Sequence, residues 1–333
     1  MTRSSTMHVP TGPRFKLAVD NVKNWVFVTG VPRSGTTFVA KILSLPLEVD
    51  YIHEPFNPQC GIPSMTKWYR YVRPSLDTEE MQRFHALTKT IFSYDLTLTG
   101  KVPERDPWSK RVVKRIVGSR GPFYLRLAKL NHFHTAAVIK DPIGSLLSEY
   151  LYLHFGVKPV IVIKHPVSFI ASLKRVNWWP NLSRLNDQPY LIEDYFSDEA
   201  DFITREWSDP ILGASAFWRV LYKVLLTQAN KYSEWQTVTH EQLSQDPVST
   251  FRHLYEVHEL PWNERVQRKI LRSTQSKGSA EARAGAVHDF RRNSADIFRM
   301  RRDSLSLEQR KVIYEIVEDV ALRVYSRESF AID

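Results

Sequence analysis

The sequence predicts an α/β domain with a mostly parallel central sheet and helices on both faces. Three observations predict it. Short apolar, β-branched runs at residues 25–29 (WVFVT), 136–140 (AAVIK) and 159–164 (PVIVIK) have the character of strands buried on both sides. Stretches of helical spacing alternate with these runs, as in crossover units. The first run also passes through a tight glycine loop directly into a helical pattern carrying Phe38, Val39, Ile42 and Leu43.

Taken in order, residues 1–23 are polar, with Pro10, Gly12 and Pro13, and are expected to form a loose arm. Residues 24–333 are expected to form one domain. The first strand covers 25–29. A second short strand is expected over 48–52, followed by the Pro-rich loop His53-Glu54-Pro55-Phe56-Asn57-Pro58. Residues 67–92 have a mixed, mostly helical pattern, and 110–117 suit a strand or a helix equally. The strand at 136–140 ends in Asp141-Pro142, and 145–155 has helical spacing. The strand at 159–164 leads into a helix whose pattern begins by Phe169. A further strand, 235–239, precedes His240-Glu241-Gln242-Leu243. Residues 305–325 form an amphipathic closing helix with Ser306 as a candidate N-cap.

The glycine loop carries the chemistry. Strand, tight loop and helix converge backbone N–H groups and a helix N-terminus on one point, which suits an anion. The spacing Gly30-x4-Gly35 is that of a nucleotide P-loop, but Thr36 and Thr37 stand where Lys and Ser/Thr belong. A kinase or ATPase needs that lysine on its terminal phosphates and a metal beside it. Arg33 offers a planar fork from another direction. The loop therefore suits a terminal group of lower charge than a triphosphate tail, needing no metal. A surface turn that binds nothing is the plain alternative. Arg33, Glu54, Lys140 and Lys164 all fall at or just past strand ends, where open α/β sheets bind ligands.

Pro32-Arg33-Ser34-Gly35-Thr36-Thr37 resembles the 5′-phosphosulfate loop of sulfotransferases that use 3′-phosphoadenosine 5′-phosphosulfate (PAPS). The resemblance implies a single α/β domain with a P-loop-like sheet, PAPS as cofactor without a metal, and sulfuryl transfer to a hydroxyl or amine. It places Arg33, Ser34, Gly35, Thr36 and Thr37 on the cofactor. Lys164, with Ser172 eight residues on, is similar to the family's 3′-phosphate motif, although the family has Arg at the first position. Glu54 in His53-Glu54-Pro55 resembles the Glu-Pro carboxylate of carbohydrate sulfotransferases, which makes it the first candidate base and His53 the second. Lys140 is expected to face the bridging oxygen or the acceptor, with a structural salt bridge as the plain alternative. A parallel reading makes Asp141 a metal ligand, which would favour a P-loop small-molecule kinase with an atypical loop. His240-Glu241-Gln242-Leu243 is similar to a sheet-supporting segment of the superfamily and is assigned no chemistry. Arg292 and Ser294, in competition with Ser276-Lys277-Gly278, are candidates for a basic loop closing the cofactor site.

The formal charge is +10, from 46 Lys and Arg against 36 Asp and Glu. Residues 265–302 hold 11 of the cations against 3 acids, a patch that suits a polyanion or an acidic membrane surface. A third reading follows, a non-enzymatic basic module for nucleic acid or anionic lipid, but no RNA-module or zinc signature supports it. One cysteine, Cys60, allows no internal disulfide. No stretch has the length of a signal-peptide core or a spanning helix, so a soluble, cytoplasmic enzyme is expected, with peripheral membrane contact only if the acceptor is a lipid. Aromatic residues interleaved with amides at 177–207 (Trp178, Trp179, Tyr190, Tyr195, Phe196, Trp207) suit a carbohydrate or small-molecule acceptor, or plain packing over the pocket. No nucleic-acid partner is expected.

Overall fold

The computed structural model describes residues 21–100, 119–274 and 304–332. The fold is α/β. In chain order the strands are β1 (Asn24–Thr29), β2 (Val49–His53), β3 (Ala136–Lys140), β4 (Lys158–Ile163) and β5 (Gln236–Thr239). They form one sheet, ordered β2-β3-β1-β4-β5, with every pair parallel. The register sets His53 opposite Lys140, Lys140 opposite Val28, and Ile163 opposite Thr239, so the strands' carboxyl ends finish along one edge.

Among the described residues the helices are α1 (Thr36–Leu43), α2 (Glu79–Phe92), α3 (Arg120–Leu130), α4 (Ser148–Phe155), α5 (Pro166–Val176), three short helices α6 (Ser183–Asn186), α7 (Pro189–Tyr195) and α8 (Ala200–Thr204), then α9 (Pro210–Lys231), α10 (Gln242–Gln245), α11 (Pro247–Val257), α12 (Glu264–Thr274) and α13 (Leu307–Ala321). One sheet face packs under α1, α11 and α12 through Val39, Leu43, Phe251, Leu254, Val266 and Ile270. The other face is divided. Over β1–β3, Phe27 and Ile139 meet Phe84 of α2 and Tyr150 of α4, whereas over β4, Ile161 and Ile163 meet α5, α9 and α13.

Several helices start on one device. Asp209 caps α9, its carboxylate accepting from the N–H groups of Ile211 and Leu212, and Asp246 caps α11 by accepting from Ser249. A proline follows each at N1, where its missing N–H costs nothing. His165 before Pro166 does the same for α5 through Nδ1. Ser306 and Gln309 form a capping box on α13.

The structure corrects several sequence expectations. β2 begins and ends one residue later than expected, so His53 is its last residue. Only 79–92 of the region 67–92 is helical, because Pro74 breaks the earlier part and Thr78 supplies the cap that starts α2. The helix after β4 starts at Pro166. Helices α3, α9, α11 and α12 were absent from the expectations. The most consequential is α9: it is apolar around most of its circumference, the sign of a buried helix rather than an amphipathic one. Residue 110–117 lies outside the described residues. Val22 is buried and the Lys23 N–H donates to the Thr135 carbonyl at 2.9 Å, so packing begins just before β1.

Candidate active site

The β1–α1 loop is held open by its backbone. Gly30 (φ 139°) and Gly35 (φ 107°) occupy conformations that L-residues rarely adopt. A Cβ on Gly30 would meet the Val162 carbonyl oxygen at 2.3 Å. Arg33, between the glycines, is also left-handed (φ 75°), and the Ser34 N–H closes a turn onto Val31 O at 3.1 Å. Helix α9 braces the loop from below. The Tyr222 hydroxyl donates to Val162 O at 2.7 Å, and the Trp218 indole donates to Lys164 O at 2.9 Å. No side chain caps α1, so the first-turn N–H groups at Thr36 and Thr37 are available to an anion.

Cations gather on this side. Lys164 is buried just past β4, and its ammonium donates to the Arg33 carbonyl at 3.3 Å, tying strand end to loop. Burial, and then the neighbouring charge of Arg175, lower the pKa of the Arg33 guanidinium. Two like charges therefore sit close enough to oppose each other, which a bound anion would relieve. The sequence reading passed over Arg175. The signal was its position one turn after Ser172 on the same helix. Ser172 itself is buried, and its hydroxyl donates to Phe169 O at 2.7 Å.

The ends of β2 and β3 hold a different arrangement. Glu54 leaves β2 in a left-handed conformation (φ 49°). One of its carboxylate oxygens accepts from the Lys140 ammonium in a buried ion pair, and the other accepts from Asn57 Nδ2 at 2.6 Å. Burial alone would raise the Glu54 carboxyl, but Lys140 and then His53 outweigh it and hold the group well below the usual carboxylate range. The loop that positions Glu54 closes over Gly61, where a Cβ would meet the carbonyl oxygens of Pro55, Asn57 and Glu54 at 2.3 to 2.7 Å. His53 Nε2 lies 4.0 Å from Glu54 Oε1. Burial and then Lys140 push His53 down to about 3, so the imidazole is neutral. Its Nδ1 lies 2.9 Å from the Tyr51 hydroxyl. Assigning the ring proton to Nε2 lets that phenol, whose own pKa burial raises, donate to Nδ1. Nδ1 is then engaged, while Nε2 stands beyond hydrogen-bond reach of Glu54.

Asp141, another Asp-Pro residue like Asp209 and Asp246, closes the turn after β3. Its fully buried carboxylate accepts from the N–H groups of Phe56 (2.7 Å), Ile143 (2.9 Å) and Gly144 (3.1 Å). Burial and then Glu54 push it up, to about 7. The three backbone donors take most of its lone-pair sites and tie the Glu54 loop to the end of β3. Cys60 Sγ lies 3.7 Å from Glu54 Oε2, and burial followed by the Glu54 charge pushes the thiol up to about 12.

The structure thus brings Arg33 together with Lys164 and Arg175, and Glu54 together with Lys140 and His53. The ends of β3 and β4 flank β1, which separates the two groups by about 10 Å, twice the strand spacing. His240 lies against the loop: its N–H donates to Ile163 O at 2.7 Å and its ring packs beside Gly35. The 177–207 segment packs mainly as structure, with Leu185, Leu191, Phe196 and Ile203 in the core. Gln188 and Asp194 pin it to residues 69–73, downstream of the Glu54 loop. Arg292, Ser294 and Ser276-Lys277-Gly278 lie outside the described residues.

No family model matches the chain, and no curated protein does. Solved structures similar to it include the sulfotransferase domain from the Synechococcus PCC 7002 olefin synthase, at 13% identity, covering 94% of this chain and 98% of that chain with a TM-score of 0.43. The sulfotransferase domain from the curacin biosynthetic pathway matches at 14% identity over 88% of this chain and 97% of that chain, with a TM-score of 0.44. Mouse sulfotransferase SULT7A1 complexed with PAP matches at 11% identity over 96% and 92%, with a TM-score of 0.41. Likenesses this distant leave the functional reading to the geometry of the site.

Proposed function

We propose that the chain is a sulfotransferase that moves a sulfuryl group from PAPS to a hydroxyl or amine of a carbohydrate, glycolipid or other small-molecule acceptor. The observation that carries the reading is the glycine loop itself: Thr36 stands where a nucleotide-binding lysine belongs, the start of α1 has no side-chain cap, and the Lys164 ammonium lies 3.3 Å from the Arg33 carbonyl. This donor set fits a singly extended anionic tail. Arg33, Ser34, Gly35, Thr36 and Thr37 would hold the 5′-phosphosulfate, and Lys164 with Ser172 and Arg175 the 3′-phosphate side. When bound, the cofactor supplies the transferable sulfuryl group and a phosphate leaving group.

The chain's own residues supply orientation and a proton acceptor. Glu54 Oε1 is the acceptor of the substrate hydroxyl proton. While Lys140 pairs with it, that oxygen is weakly basic. If the Lys140 ammonium is drawn toward another anion, burial dominates and the carboxyl regains basicity. The pair therefore holds the base idle until the site is charged. His53 stands beside Glu54 with its ring held by the Tyr51 hydroxyl. The kinase reading is weakened by Asp141, whose carboxylate oxygens already serve three backbone donors.

Thermal unfolding with and without 3′-phosphoadenosine 5′-phosphate, against ATP with Mg²⁺, tests the assignment. At a hundred times its dissociation constant the bisphosphate should add about 2.7 kcal/mol of stability. A shift with ATP and Mg²⁺ alone would turn the reading to the kinase. Glu54→Gln should lower turnover by about 10²–10⁴-fold while the bisphosphate still binds. Normal turnover would move the base elsewhere.

A further inference from the structure

The amino-terminal edge of the sheet, opposite the candidate site, carries a surface that the function above does not use. Helix α12 presents Arg265, Arg268, Lys269 and Arg272 at i, i+3, i+4 and i+7, all exposed on one stripe, while Val266 and Ile270 face the core. None of the four is ion-paired among the described residues. Glu264, in the first turn, is the one acid on the helix. With Leu45 the four cations line a groove of about 460 Å³.

An apolar rim adjoins this stripe. Two residues after Leu45, Leu47 is 69% exposed. The Leu47 carbonyl accepts from Asn131 Nδ2 at 2.8 Å, which fixes the α3–β3 turn against it. On either side of Asn131, Leu130 and Phe133 are 72% and 73% exposed, and Leu127 is exposed one turn earlier. Large apolar side chains scattered singly need no explanation, but four on neighbouring turns beside an unpaired cationic stripe do.

The geometry points to this edge as a docking surface for an anionic membrane, with the cations of α12 at the headgroups and Leu47, Leu130 and Phe133 entering the interface. Charge complementarity selects the occupant. Acidic headgroups satisfy the stripe and the acyl boundary takes the apolar rim, whereas a nucleic-acid backbone would meet only the former. The arrangement turns the strands' carboxyl ends, and the candidate site, away from the bilayer. It is independent of the proposed activity, since a strand of five residues, about 17 Å, lies between the two surfaces.

The test is co-sedimentation of the full chain with vesicles of phosphatidylcholine alone and of phosphatidylcholine with about 30% phosphatidylserine. Binding to the anionic vesicles only is expected, and it should be lost as salt rises from about 0.1 M to about 1 M and the screening length falls from about 10 Å to about 3 Å. Arg268→Glu with Arg272→Glu should reduce partitioning at least about a hundredfold, at roughly fivefold per unit charge. Leu130→Ser with Phe133→Ser should reduce it about tenfold or more. All four sites are exposed, so unchanged thermal unfolding confirms that the variants fold. Equal binding to both vesicle types, or no effect of the charge reversals, overturns the proposal. So does tighter binding to duplex DNA that is indifferent to the Leu130 and Phe133 changes, which would assign the stripe to nucleic acid.

Discussion

Lys140 and Lys164 end neighbouring parts of the same sheet edge, and each is 3% exposed, yet they keep opposite company. Lys140 is neutralised by the carboxylate of Glu54, whereas Lys164 donates to the carbonyl of Arg33. The acid nearest the Lys164 side, Glu241, is itself pushed toward its neutral form by burial. One half of the site is therefore self-compensated, and the other accumulates positive charge from Lys164, Arg33 and Arg175. The difference teaches that burial does not fix a lysine's role. The partner decides whether the charge is neutralised by a carboxylate, as at Lys140, or shared with a backbone carbonyl, as at Lys164.

Substitution can break this comparison. Lys140→Met leaves Glu54 as a buried, uncompensated carboxylate and should cost about 3–5 kcal/mol in urea unfolding. Adding Glu54→Gln should recover much of that loss, and a double variant as unstable as the single one would mean that the pair is not what holds the loop. Next in size, Arg33→Ala should remove most of the ~2.7 kcal/mol stabilisation given by saturating 3′-phosphoadenosine 5′-phosphate. The unliganded protein should unfold no earlier, because the opposition with Arg175 is relieved. A variant that still shows the full ligand shift would place the anion elsewhere. Lys164→Met should cost less, about 1–3 kcal/mol without ligand, since Glu241, on which its charge acts, is already pushed toward its neutral form by burial. Equal costs for the two lysines would erase the contrast.

The pH dependence sharpens the same point. His53 and His165 are held at about 3 and His258 at about 4, all chiefly by burial. The unfolded chain protonates these rings below its ordinary histidine range, near 6.5, so each contributes stability that is lost as pH falls from there. Asp141 works in the other direction: raised to about 7, it is protonated in the fold but ionised in the unfolded chain, and its contribution is lost as pH rises through 7. Near pH 5.5 each ring takes up close to one proton on unfolding, a contribution of about 1.4 kcal/mol per pH unit, while Asp141, Asp50 and Glu241, all raised by burial, oppose it. His258→Gln should therefore remove about 1.4 kcal/mol per pH unit from the slope between pH 5 and 6, and an unchanged slope would show that this ring is charged in the fold.

Much of the architecture was legible because it is local. The β-branched runs, the glycine loop between β1 and α1, and the Ser306 cap each declare themselves within a few residues. Strand ends follow from the same pattern, which is why Arg33, Glu54, Lys140 and Lys164 could be placed on one edge before any contact was known. What was not legible depends on partners far along the chain. Helix α9 hides its signal because most of its circumference is buried. Asp141 resembled a metal ligand until its donors proved to be Phe56, Ile143 and Gly144, although the Asp-Pro pattern shared with Asp209 and Asp246 could have suggested an acceptor of backbone N–H groups.

By itself the sequence determined the class of fold, the position of the anion-suited loop and the absence of its lysine, since periodicity and glycine placement are written residue by residue. Only the tertiary structure decided that Lys140 neutralises Glu54 while Arg175 opposes Arg33. Those energies depend on separation and desolvation, and in a parallel sheet residues more than eighty positions apart become neighbours only when the strands align.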